Sequence, residues 1–253
     1  VALGANLAEV RLLLTRDRQP RVLVSTKFED AAMTFFARGG DGWEQRRIAQ
    51  ESDNAFLGRL CLDTGGRSHI AYTVGYDGQT RVCRYAWRDG SGWHVAELEG
   101  THNRGPRTSD LALDDGDRPR IACLAADTGA LLYAVPGDSG WATTEVNSNS
   151  IHELAMALDG GGRAHILAVE PVAADAGNLV HLWQDGTGWQ REPVVPLAIW
   201  FGNSDWHTEL YPRVAVDAAG GAGVPARDPG AQVVDQTSPC PRSPRSHPEV
   251  AAV

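Results

Sequence analysis

Polar and apolar residues alternate in short runs along most of this chain. Ser68-His69-Ile70-Ala71-Tyr72 and Val82-Cys83-Arg84-Tyr85-Ala86-Trp87 are two such runs. A period of two puts alternate side chains on one face, so each run predicts a strand with one apolar side. Residues 56–99 also hold Leu60-Cys61-Leu62-Asp63 before these runs and Trp93-His94-Val95-Ala96-Glu97-Leu98 after them. Gly- and Asp-rich turns separate the four, which predicts a four-stranded antiparallel meander. No stretch of ten or more residues carries a helical pattern.

The meander repeats. Gly40-Asp41-Gly42-Trp43, Asp89-Gly90-Ser91-Gly92-Trp93, Asp138-Ser139-Gly140-Trp141 and Asp185-Gly186-Thr187-Gly188-Trp189 place their tryptophans 50, 48 and 48 residues apart. A fixed period of this size marks a repeat architecture. In the first strand Leu12/Leu14, Leu60/Leu62, Leu111/Leu113, Met156/Leu158 and Val214/Val216 align. Asp63, Asp114, Asp159 and Asp217 follow, with Thr15 in the first unit. Gly65, Gly116 and Gly161 stand two residues further on. This predicts a hairpin in which the carboxylate caps turn amides and that glycine takes positive φ. In the second strand Val22, Ile70, Ile121 and Ile166 align. In the third, Met33, Cys83, Leu131 and Leu179 align, then Phe35, Tyr85, Tyr133 and His181. The tryptophan opens the fourth strand, where packing between units is expected, with the indole N–H on a carbonyl. His69 and His165 share one position with Arg21 and Arg120 and are read as structural contacts between units.

One such meander cannot bury both its faces. Radial stacking solves this, which predicts an all-β fold, a β-propeller of four-stranded antiparallel blades. Four units are complete and a partial fifth starts over Glu209 to Asp217, so the ring is expected to be incomplete, drawn from a parent of five to eight blades. Blades are assigned to residues 1–221. Residues 222–253 hold Pro225, Pro229, Pro239, Pro241, Pro244 and Pro248 and no aromatic residue. That composition predicts a disordered or aberrant tail. The abrupt break at Gly221 reads as truncation or a shifted reading frame.

The pattern Leu-x-Leu-Asp-x-x-Gly-Arg-x-His-Ile … Tyr-Ala … Gly-x-x-Trp is carried by Leu60 to Trp93, Leu111 to Trp141 and Met156 to Trp189. It resembles bacterial propellers of the BNR or sialidase-like type over roughly residues 7–221. The resemblance implies the fold and leaves activity open, since such folds host many functions.

Composition narrows the partners. The chain has 253 residues, 42% hydrophobic, with formal charge −9. Neither nucleic acid nor an anionic membrane suits that charge. No apolar run has the length of a membrane span. The start, Val1-Ala2-Leu3-Gly4, lacks a basic n-region, so no signal peptide is expected there. The compartment stays open, with a secreted or periplasmic one favoured. Cys61, Cys83, Cys123 and Cys240 lack CxxC spacing. The first three stand at small apolar repeat positions and are expected to be buried thiols, not a disulfide framework or zinc site.

Function is sought in the loops that differ between units. The loops between an outer strand and the next inner strand are residues 50–54, 100–107, 147–153 and 197–211. His102, His152 and His207 each lie close to the start of an inner strand. Converging near an axis, they would form a polar pocket rimmed by Trp200 and Trp206. With Asn103, Arg107, Glu153, Asn203 and Glu209 as hydrogen-bonding groups, the set suits a glycan or another flat polar ligand.

Three functions are therefore weighed. One is a carbohydrate-binding module. Another is a lyase acting on uronate glycans, since ulvan-type lyases also use propellers. β-Elimination needs a base at the uronate C5 proton and a group that neutralises the carboxylate. His102, His152, His207 or Tyr211 would be the base, and Arg104, Arg107 or Asn203 would hold the carboxylate. The third is a non-catalytic protein-interaction propeller. The Asp-box Ser-x-Asp-x-Gly-x-x-Trp of sialidases does not occur. His207-Thr208-Glu209 lacks the Pro-Cys-x-x-Cys of zinc deaminases, and Asp114-Asp115-Gly116-Asp117 fits the repeated turn better than calcium. No metal and no cofactor are expected, and the oligomeric state stays open.

Overall fold

The computed structural model describes residues 7–26, 32–49, 55–75, 82–98, 101, 109–125, 128–138, 140–198, 215–216 and 222–223. The first blade is β1 (Leu7–Leu14), β2 (Pro20–Thr26), β3 (Met33–Gly39) and β4 (Gly42–Ala49). The second is β5 (Phe56–Leu62), β6 (Ser68–Val74), β7 (Val82–Asp89) and β8 (Gly92–Glu97). The third is β9 (Asp110–Leu113), β10 (Pro119–Leu124), β11 (Leu131–Gly137) and β12 (Gly140–Asn147). The fourth is β13 (Glu153–Leu158), β14 (Ala164–Ala173), β15 (Ala176–Asp185) and β16 (Gly188–Ala198). Each is an antiparallel meander in sequence order. A fifth unit is represented by β17 (Ala215–Val216), paired with β18 (Ala222–Gly223).

First strands of successive blades lie side by side, β1 by β5, β5 by β9 and β9 by β13. They line the axis of an incomplete β-propeller. A buried carboxylate stitches this inner ring. The Arg59 guanidinium lies 3.3 Å from Asp110. The same carboxylate accepts a 2.8 Å hydrogen bond from the Met156 backbone amide, linking three blades.

The strands form where the alternation places them, but β6 and β9 are buried at every position, so inner strands are covered on both faces and not on one as expected, and the core lies between sheets. Leu13, Leu23, Met33 and Phe35 of the first blade meet Leu60, Leu62, Ile70 and Tyr72 of the second. Cys61, Ala71, Cys83 and Tyr85 meet Leu111, Leu113, Ile121 and Cys123. Ala112, Ala122, Leu131 and Tyr133 meet Met156, Leu158, Ile166 and Ala168. One face of a sheet thus contacts the next blade and the other face the preceding one. Burying each large aliphatic side chain contributes about 1.5–3 kcal/mol.

The tryptophans close these interfaces. Trp93 meets Phe35 edge-on at 4.9 Å, Trp141 meets Tyr85 at 5.3 Å and Trp189 meets Tyr133 at 5.2 Å. In each case the ring of one blade receives the indole of the next, a favoured arrangement for aromatic quadrupoles. The packing role expected of the tryptophan holds at these three positions. The expected carbonyl partner does not hold at Trp93, whose indole nitrogen is buried without a hydrogen bond. The glycine before each tryptophan, Gly42, Gly92, Gly140 and Gly188, has φ between 129° and 141°. A Cβ is strained there, so the turn that aims the indole depends on glycine.

The repeated aspartates organise the turns at this same end of the blades. Asp114 Oδ1 accepts from the amides of Gly116 at 2.9 Å and Arg118 at 3.0 Å, and Asp159 does the same for Gly161 and Arg163. The other oxygen binds the arginine Nε, at 2.9 Å for Arg118. The glycine two residues after the aspartate is not the positive-φ residue, contrary to expectation. That conformation falls one position later, at Arg18, Gly66, Asp117 and Gly162. Gly65, Gly116 and Gly161 are small for another reason, because a Cβ there would lie 3.3 Å from the aspartate oxygen. Asp117 also accepts a 2.9 Å hydrogen bond from the Thr64 amide and so ties two blades together.

His69 and His165 make their polar contacts inside a blade, a correction to the expectation of contacts between units. His69 bridges Asp63, at 3.5 Å, and the Tyr85 hydroxyl, at 2.5 Å. His165 stacks on His181 and lies 3.1 Å from its Nε2, and His181 reaches Glu192 at 3.0 Å. Because Tyr85 also receives Trp141, the chain from Asp63 supports the interface indirectly. Cys83 and Cys123 are free and buried, as expected, but Cys61 is disulfide-bonded, its partner sulfur lying outside the described residues.

Asp114→Ala removes the acceptor for two turn amides and two guanidinium groups. It should cost about 3 kcal/mol in urea unfolding, with an unchanged denaturant slope. A loss below about 0.5 kcal/mol would show that the turn stands without its carboxylate.

Stability should also fall with acid in two stages. Burial opposes ionisation of Asp63, Asp114 and Asp159, yet the turn amides and arginines outweigh it and hold all three below the ordinary carboxyl value. Their stabilisation is present above about pH 4 and is lost as pH drops further. Burial, first of all, holds His69 and His165 below the ordinary imidazole value. Protonation therefore favours the unfolded chain, and their contribution fades as pH falls from about 6.5. Thermal melts across this range check both stages, and a midpoint constant from neutrality to about pH 4 would contradict the histidine stage.

Candidate ligand site at the loop face

In each blade the first and third strands run one way and the second and fourth the other. The aspartate and tryptophan turns therefore share one end of the propeller. The loops leading into inner strands, and those joining second to third strands, share the opposite end. Among the described residues, the loop between β12 and β13 is the complete example of a connection between blades at this face.

Its organiser is a residue that strand patterning overlooks. Glu170 follows the apolar run Ala164 to Val169 in β14 and is buried, 3% exposed. Its carboxylate binds the Arg191 guanidinium at 2.7 and 3.3 Å and accepts from the Asn147 side-chain amide. Burial pushes this carboxyl up, but Arg191 and Asn147 more than offset it and leave Glu170 below its ordinary range. Asn147, fixed by its NH₂, uses its oxygen to accept from the Asn149 amide at 2.9 Å, an Asx turn. The chain then returns to the core. Ile151 is fully buried and donates to the Gly129 carbonyl at 3.2 Å, and the His152 amide donates to the Val169 carbonyl at 2.8 Å.

The result is a short polar ledge. Ser148, Asn149 and Ser150 are exposed, and His152 and Glu153 are half-buried at the entrance to β13. The His152 Nδ1 lies 4.0 Å from the Glu153 carboxylate. An imidazole beside a carboxylate can hold or move a proton, and both can hydrogen-bond a hydroxylated ligand. Of the sequence-derived candidates, the structure places these two together on the expected face. His102, Asn103, Arg104, Arg107, Trp200, Asn203, Trp206, His207, Glu209 and Tyr211 lie outside the described residues. His102 follows Thr101, a buried residue whose hydroxyl accepts from the Cys83 amide at 3.1 Å and donates to the Leu98 carbonyl. No group of three metal-capable side chains occurs among the described residues.

Sequence comparison identifies no matching family model and no matching curated protein. Similarity appears at the level of structure. A Dyadobacter fermentans protein of unknown function matches with TM-score 0.51 at 11% identity, over 74% of this chain and 69% of that one. A polysaccharide lyase of family PL25, an ulvan lyase bound to -[GlcA(1-4)Rha3S]-, matches with TM-score 0.51 at 9% identity, over 75% of this chain and 56% of that one. A puromycin hydrolase S511A mutant matches with TM-score 0.50 at 13% identity, over 87% of this chain and 36% of that one. The matched region thus spans little more than half of the lyase. Identities this low establish the fold that the chain shares, not its chemistry.

Glu170→Ala leaves Arg191 and Asn147 without their common acceptor. It should destabilise by about 2 kcal/mol and speed hydrogen exchange across residues 148–152 more than in the aspartate turns. Uniform exchange changes, or none in this loop, would show that Glu170 does not hold it.

Proposed function

We propose that this chain is a carbohydrate-binding β-propeller of the BNR-like kind, with blades over residues 1–221 and a separate tail over 222–253. Its ligand is received on the face that carries the Asn147–Glu153 loop. The observation that carries this reading is the buried Glu170, because it fixes a ledge of amide, hydroxyl, imidazole and carboxylate groups at the mouth of the ring. Such a set hydrogen-bonds sugar hydroxyls, and the candidates Trp200 and Trp206 would supply stacking faces. Asn103, Arg107, Asn203 and Glu209 would add further polar contacts. The fold shared with a lyase bound to a glucuronate-containing oligosaccharide supports a glycan as the ligand class. Secretion and a bacterial source are consistent with that role.

A second reading is favoured by the His152–Glu153 pair. In a lyase, the imidazole would take the C5 proton of a uronate, with the Glu153 carboxylate 4.0 Å from its Nδ1 favouring the protonated ring that results. His102, His207 or Tyr211 could serve as base instead, and Arg104 could neutralise the substrate carboxylate.

Glycan-array binding by the wild-type chain, reduced at least tenfold in Trp206→Ala and in Glu153→Gln, is the expected result. Binding to no glycan would overturn the carbohydrate reading. Ultraviolet absorbance from a new carbon–carbon double bond, seen with a uronate polymer and lost in His152→Ala, would make the protein a lyase rather than a lectin.

A further inference from the structure

Each of the three interfaces between complete blades carries one recurring pair of positions. A residue at the start of a third strand shares a buried cluster with one near the end of the next blade's second strand. Between the first and second blades the pair is Met33 and Tyr72. Between the third and fourth it is Leu131 and Ala168. Between the second and third both members are cysteine, Cys83 in β7 and Cys123 in β10.

The register turns these two side chains toward one another. Cys83 lies on the face of β7 that carries Tyr85, which receives Trp141 of the third blade. Cys123 lies on the face of β10 that carries Ile121, in the cluster shared with the second blade. Ala122 and Leu124, on the opposite face of β10, pack with the fourth blade instead. Cys83 is the second residue of its strand and Cys123 the last but one, so both stand toward the loop end of the interface. Both are free, and they are 3% and 1% exposed. Their backbones are fixed. The Cys83 carbonyl accepts from the Leu98 amide at 3.0 Å, and Cys123 pairs with Leu132 of β11. Cys61, in the same cluster, is already disulfide-bonded and is not a competing thiol. Contact with the Cys83 thiol, first, and then burial raise the Cys123 thiol above its ordinary range.

We propose that Cys83 and Cys123 close into a disulfide that staples the second blade to the third. The oxidant is a small-molecule disulfide such as oxidised glutathione. One cysteine gives up its proton, and its thiolate attacks a sulfur of the oxidant, breaking that S–S bond and releasing one small thiolate. The second cysteine, deprotonated in turn, attacks the mixed disulfide, forms the Cys83–Cys123 bond and releases the other small thiolate. Two protein thiols are oxidised, one small disulfide is reduced, and the two protons end on the two small thiols. Thiolate is the attacking form, and the folded interface keeps Cys123 protonated and out of solvent. The bond therefore forms while the chain folds and only slowly afterwards. It closes a long loop and so restricts the unfolded chain, which raises stability.

Refolding the full 253-residue chain in a buffer of reduced and oxidised glutathione tests this. Free thiols are then alkylated and a non-reduced digest is mapped by mass spectrometry. The peptides holding Cys83 and Cys123 should appear linked in most molecules, and reduction should separate them. Oxidation should raise the thermal midpoint, and the gain should be smaller by about 5 °C in Cys123→Ala, where the Cys61 disulfide can still form. The peptide map needs only the wild-type chain, so it decides the pairing even if the variant fails to fold. Alkylation of both cysteines after oxidative refolding would overturn the proposal. Linkage of Cys83 to Cys61 or Cys240 would overturn it too, as would a gain in midpoint equal in wild type and Cys123→Ala.

Discussion

A four-stranded sheet in this protein has two apolar faces and no means of covering either by itself. Everything else follows from meeting that need with neighbouring sheets. The unit of cohesion is the contact of an indole with the ring of the previous blade, Trp93 on Phe35, Trp141 on Tyr85 and Trp189 on Tyr133. The 48-residue period is the sequence expression of that contact, since each blade must deliver one indole to the same place. The aliphatic rows beside it supply area, and the aromatic pair fixes the angle at which sheets meet.

The turns at one end carry a second, electrostatic layer. A buried carboxylate is costly unless its oxygens are filled, and here each aspartate is filled by turn amides and by an arginine four residues on. Repetition of such a residue invites a catalytic reading. The geometry shows instead why every blade needs one, because the hairpin that starts the second strand is built around it. Departures from the pattern are instructive. Thr15 replaces the carboxylate in the first blade, and its hydroxyl accepts from the Gln19 amide at 2.9 Å. Asp117 occupies a left-handed position that Gly66 and Gly162 hold elsewhere, and it contacts the adjacent blade.

The loops at the opposite end differ in sequence from blade to blade. Between the third and fourth blades a single buried glutamate organises the loop, and the exposed ledge it holds mixes donors and acceptors without apolar cover. The division is a physical one. The regular end spends its polar groups on one another, and the loop between the third and fourth blades leaves Ser148, Asn149 and Ser150 exposed.

Strands, turns and the repeat were legible in the chain because each depends on local rules. Alternation sets the face, Gly and Asp set the turn, and the spacing of Trp43, Trp93, Trp141 and Trp189 sets the unit. Much of the candidate site was legible only as residue type. His152 and Glu153 could be placed on a loop before an inner strand, but nothing local revealed Glu170 as its support, since the pairing of Glu170 with Arg191 and Asn147 spans three strands. The positive-φ position and the real role of Gly65, Gly116 and Gly161 also needed coordinates, because close approach to a side-chain oxygen leaves no trace in spacing. Sequence alone determined that this is a repeating all-β chain whose sheets must stack. Tertiary structure alone decided which side chains meet between sheets and which charged groups pair, because those outcomes depend on how distant strands are brought to one place.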